Sequence, residues 1–95
     1  MKAGMVTMAQ VGRYGRMDAG FHLTVNEVAS ELPGIEARLS VDQALALVDA
    51  QEMEVLKCLE PLVRGTGKTR RSLLGAAKEY PFIACALLAK NGVSV

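Results

Sequence analysis

Ser40–Val63 reads SVDQALALVDAQEMEVLKCLEPLV, and its reading decides the fold class. Val41, Ala44, Leu45, Val48, Leu56, Leu59 and Leu62 or Val63 recur three or four residues apart, with Glu52 the one polar residue in the gap. That spacing places them on one face of an α-helix. Ser40 and Gln43 form the S-x-x-Q pattern of a capping box, in which the hydroxyl takes one free amide and the Gln side chain returns to the cap. Pro61 and Gly65 close the far end. The pattern predicts one long helix, with the rest of the chain packed on it.

Working outward, Thr69 to Tyr80 and Pro81 to Lys90 read as two further helices. The turn RGTGK (Arg64–Lys68) separates the first from the long helix, Pro81 opens the second, and Asn91-Gly92 stops it. Phe82, Ile83, Cys85, Ala86, Leu87 and Leu88 make the last helix apolar nearly all round. Val93–Val95 has the character of a short strand. Upstream, Thr24 followed by Glu27 predicts a second capping box and a helix with Val25, Val28, Ala29 and Leu32 inward, ended by Pro33-Gly34. Residues 33–39 then form a connection. Phe21, Leu23 and Val25 alternate with His22 and Thr24, as in a half-buried strand. With the apolar run at 5–11 and the glycine-rich stretch at 12–20, residues 1–25 predict a β-hairpin with a basic tip. Met1, Met5 and Met8 are alternative starts. The expected fold is mainly α, a single domain (1–95) of about four helices around a long central one, with a small N-terminal hairpin.

With 51% apolar residues the chain can fold as one globular domain. A domain of this size buries only about 60–65% of its extended-chain surface, so a dimer covering more apolar area is an expectation. Tyr14, Phe21, Tyr80 and Phe82 are the aromatics. The core must therefore be built from Leu, Val, Ala and Met, with few rings on which to stack bases or sugars. Cys58 and Cys85 both fall in apolar helical patterns, and no run of about twenty apolar residues is present. The expectation is small free thiols in the core, a cytoplasmic protein and no membrane association.

Charge is unevenly spread. Residues 26–60 hold eight acids against Arg38 and Lys57, a local net of −6. Residues 61–95 hold six bases against Glu79, a local net of +5. Either the basic third faces an anionic partner while the acidic middle points away, or the two neutralise each other within the fold.

Candidate chemistry is sparse. GTGKT at 65–69 has the ending of a phosphate-binding Walker loop, but Leu62 stands where its first glycine belongs and a helix precedes it instead of a strand. A helix-to-helix turn is the better reading, and nucleotide hydrolysis is not expected. Lys68, Arg70 and Arg71 nevertheless cluster at a helix start. There they oppose the helix dipole at a cost of a few tenths of a kcal/mol each, and with free amides they suit an anion such as a nucleic-acid phosphate. Arg13 and Arg16 at the hairpin tip extend the same set. His22 is the only histidine and has no ligand at metal-binding spacing, so no metal or other cofactor is expected. Asp49 and Glu52 are helix neighbours, but a solvated face accounts for them better than acid–base work. No catalytic residues can be named, and no enzyme is expected.

From Glu54 onward the order helix, Gly-bearing turn, helix, short connection, helix, Asn-Gly, apolar end resembles the core of a winged helix-turn-helix domain. It is carried by EVLKCLEPLV, RGTGKTRRSLLGAAKEY and PFIACALLAKNGVSV. The ending LLAKNGVSV is similar to that family's exit from its recognition helix. Residues 23–45 are a second, looser look-alike. The resemblance implies a small DNA-associated, regulatory protein. One departure matters: PFIACALLAK offers only Lys90 to a groove, whereas base-reading helices present Arg, Lys, Asn, Gln, Ser or Thr. Contact would then run through phosphate, by Lys68, Arg70, Arg71, Arg13 and Arg16, with little sequence discrimination. The alternative is a protein-interaction module (adaptor, inhibitor or assembly subunit) with Phe82, Ile83, Leu87 and Leu88 as its partner or dimer surface.

Overall fold

The structure is a computed structural model that describes the backbone from residue 19 and side chains from residue 24. Its helices are α1 (Ala19–Val28), α2 (Leu32–Arg38), α3 (Val41–Ala50), α4 (Glu52–Leu59), a 3-10 turn (Glu60–Val63), α5 (Arg70–Glu79) and α6 (Pro81–Lys90). No strand occurs among the described residues. The mainly helical class expected from the sequence is present.

The hub, however, is not the stretch from Ser40 to Val63. It is α6, which all five other α-helices contact. Seven of its ten residues are buried: Pro81, Ile83, Ala84, Cys85, Ala86, Leu87 and Leu88. A helix apolar on every side has no face to give to water, so its neighbours must enclose it. Val25, Val28, Leu32, Ile35, Ala44, Val48, Val55, Leu59, Leu73 and Ala77 complete the core around it. Pro81 begins α6 as expected. Gly92 ends it at φ 82°, with Gly92 N–H donating to Ala89 O (3.1 Å) and Val93 N–H to Leu88 O (3.0 Å). This is a Schellman cap, which needs the left-handed conformation glycine adopts without strain. The strand expected at Val93–Val95 is absent.

The single long helix is a correction. Its start is as expected: Ser40 Oγ accepts from Gln43 N–H (3.1 Å) and Ser40 N–H donates to the Gln43 side chain (2.8 Å). At Gln51 it breaks, with φ −115° and ψ 32°. An unbroken helix of 24 residues would be about 36 Å long, against a longest molecular dimension of 33 Å. Breaking at Gln51 lets α3 and α4 each lie against α6. At the far end Pro61 has no N–H for the helical ladder, and the chain tightens into the 3-10 turn. Val41, expected on the core face, is 54% exposed because it opens α3 at its outer end.

The N-terminal reading changes further. Phe21–Val25 is helical backbone, part of α1, and has no strand among the described residues to pair with. The remainder of the expected hairpin, residues 1–18, lies outside the described residues. Thr24 is buried within α1 and does not cap it. Pro33-Gly34 lies in the first turn of α2. The break falls upstream, at 29–31, because a proline in a continuous helix would collide with the Ala29 carbonyl one turn earlier. In the first turn of a new helix that proline is tolerated.

Candidate nucleic-acid interface

Residues 64–69 link the 3-10 turn to α5, as the sequence suggests. Thr66 folds back, its N–H donating to Val63 O at 3.1 Å and its hydroxyl donating to the same carbonyl. Gly65 and Gly67 flank it at φ 84° and 78°. Thr69 caps α5 by accepting from Ser72 N–H (3.1 Å), while Ser72 Oγ donates to Thr69 O (3.0 Å). The loop thus projects Arg64 on one side, and α5 opens with Arg70 and Arg71 on the other. All three are exposed, and Lys68 is half-buried.

The charge asymmetry is partly consumed inside the fold. Arg70 Nε pairs with Glu60 Oε1 at 3.0 Å. Lys78 Nζ lies 3.6 Å from both Asp49 and Glu52, one carboxylate on each side of the break at Gln51. Lys90 Nζ donates to Glu27 O (2.8 Å) and pairs with the Glu27 carboxylate. Each joins the basic third to the acidic middle. Arg64 and Arg71 make no ion pair among the described residues. Arg64 was not among the phosphate contacts expected from sequence. Its place in RGTGK was visible, but only the ion pairs distinguish it from Arg70. Arg13 and Arg16 lie outside the described residues.

The apolar surface expected on the last helix is corrected by burial. Ile83 and Leu88 are 0% exposed and Leu87 is 2%; only Phe82 is half-buried. Within the described fold Ile83, Leu87 and Leu88 are covered by the other helices and do not form an outer surface.

A small cleft of about 190 Å³ lies between α1, α4, the 3-10 turn and the end of α6, lined by Glu27, Cys58, Leu62, Leu87, Lys90 and Asn91 among others. Its thiol is a poor nucleophile, since burial first and the nearby Glu54 carboxylate second raise the Cys58 pKa. Cys85 is buried against α3, with Sγ 3.6 Å from Ala44 O, and burial pushes its thiol up to about 11. Both cysteines are free. No group of three or more His, Cys, Asp or Glu side chains among the described residues is arranged to hold a metal ion. No helix among them is long and apolar enough to cross a membrane by itself.

No protein-family model, curated protein or solved structure matches this chain. The reading of function therefore rests on the surface just described.

Proposed function

We propose that the chain is a small, non-enzymatic, nucleic-acid-associated protein that meets the phosphate backbone through the turn at 64–71. The observation that carries this reading is the pairing pattern. Arg70, Lys78 and Lys90 are bridged to acids, while Arg64 and Arg71 stand exposed without an ion-pair partner among the described residues, on either side of a glycine-opened loop. Exposed cations at a capped helix start suit a polyanion better than a single small ion, because each further phosphate met releases more counterions.

The winged-helix likeness supports the same class. Helices α5 and α6 meet at 107°, within the range of about 90–120° of helix-turn-helix pairs, although Tyr80 alone joins them. Burial of α6 removes it as a base reader, so the proposal is for shape- and charge-driven, regulatory or architectural binding without sequence readout.

Fluorescence anisotropy with a random-sequence DNA duplex tests this. Two phosphate contacts, by Arg64 and Arg71, would weaken binding about 12-fold between 50 and 200 mM salt. Arg64→Ala with Arg71→Ala should remove most of the binding and lower the salt slope by about 2. No binding at 50 mM salt, or equal binding by the double variant, would overturn the proposal.

A further inference from the structure

The break at Gln51 has neither the proline or glycine nor the side-chain cap found at the other helix junctions, the one at Leu39–Ser40 being capped by the Ser40 hydroxyl. The chain bends at 29–31 ahead of a proline and turns at 64–69 through two glycines, but Asp49-Ala50-Gln51-Glu52-Met53 contains neither. All five residues are compatible with a helix interior. The backbone ladder reaches Gln51 N–H donating to Leu47 O (2.9 Å) and resumes with Val55 N–H donating to Gln51 O (2.9 Å). Between them, the amides of 52, 53 and 54 form the first turn of α4, and no side chain caps it. The buried residues Ala44, Val48, Val55 and Leu59 would still share one stripe if Val41–Leu59 were straight. Local chemistry therefore favours one helix, and the bend is imposed by the need of both halves to reach α6 of the same chain.

A second copy removes that constraint. We infer that Gln51 is the hinge of an exchanged dimer, in which α1–α3 of one chain pack on α4–α6 of another and Val41–Leu59 becomes a continuous helix in each. The contacts of α6 with α1, α2 and α3, the principal ones between the two halves, would be kept. Each hinge would gain the three helical hydrogen bonds that the bend forgoes. Exchange of identical elements through a short hinge is a low-cost route to a dimer. The partner is a second copy of this chain, and the inference is independent of nucleic-acid binding.

The test is refolding of the full chain from urea over a range of protein concentrations, followed by size-exclusion chromatography with light scattering. The dimer fraction should rise with concentration during refolding and persist on later dilution. Gln51→Ala favours the straight hinge and Gln51→Gly the bent one. With two hinges per dimer, their dimerisation constants should differ by about 30-fold. Exchange itself is read by carbodiimide coupling of Lys90 to Glu27, which lie in different halves and form an ion pair. In a dimer prepared from mixed unlabelled and 15N-labelled chains, coupled peptides should combine the two labels, whereas in the monomer coupling stays within one chain. A chain that remains monomeric throughout, as wild type and as Gln51→Ala, would overturn the inference. So would a dimer whose Glu27–Lys90 couplings stay within single chains, or equal dimerisation of the Ala and Gly variants.

Discussion

Truncating Leu88 to alanine separates two accounts of what holds this molecule together. Leu88 is 0% exposed in the last turn of α6, and its neighbours Leu87, Ala86 and Cys85 are buried as well. The lost γ methine and two δ methyl groups cannot be replaced by water, and the close packing of the helices against α6 limits collapse into the gap. Leu→Ala at such sites costs about 2–5 kcal/mol. A chain of this length has a total stability of roughly 5–14 kcal/mol, so the variant loses a large share of it. A loss of about 3 kcal/mol corresponds to a fall in Tm on the order of 12–24 °C. Val41→Ala is the matched control. The helical rhythm alone assigns Val41 to the core face, yet it is 54% exposed, and its truncation should change stability by no more than about 0.5 kcal/mol. Urea unfolding followed by far-UV circular dichroism measures both, with unchanged m-values confirming that the same surface is exposed. A cost below about 1 kcal/mol for Leu88→Ala, or a larger one for Val41→Ala, would refute the placement of α6 at the hub.

The remaining predictions concern single features. Thr69→Ala removes the cap on α5 and should cost about 1 kcal/mol in urea unfolding, with Ser40→Ala similar at α3. Gly92→Ala places a Cβ in left-handed backbone at φ 82° and should cost about 1–2 kcal/mol, whereas Gly75→Ala, inside α5 with nothing within 4 Å of the added carbon, should be neutral or stabilising. Because the folded Cys85 pKa is raised from 9.0 to about 11, the native state holds its proton where the unfolded chain loses it. Stability is therefore retained below pH 9 and falls on the order of 2–3 kcal/mol as pH rises from 9 to 11, a slope that Cys85→Ala should flatten. Lys78→Ala breaks an exposed bridge to Asp49 and Glu52, with side chains 44–65% accessible, and should cost less than about 1 kcal/mol, vanishing in 1 M salt.

What the sequence determined by itself was local. The Ser40–Gln43 capping box, the proline entry to α6, the Asn91-Gly92 exit and the turn at 64–69 all depend on residues within one or two turns of each other. Backbone preference and short-range hydrogen bonds decide such features before any packing occurs. The apolar character of α6 was equally legible, but its meaning was not. A helix without a polar face suits a buried hub and an outer partner surface alike, and only the helices arranged around Ile83, Leu87 and Leu88 choose between them. The same holds for the bend at Gln51, where every local preference favours continuing the helix and the shared core requires otherwise. The strand expected at Phe21–Val25 illustrates a further limit. Alternation over five residues matches a strand, but a strand needs a neighbour, and Val25 and Val28 gain more by facing α6 from a helix. The division among the basic residues is also tertiary. Arg64, Arg70 and Arg71 are chemically alike in the sequence, and it is the position of Glu60 across the turn that occupies Arg70 and leaves the other two facing solvent.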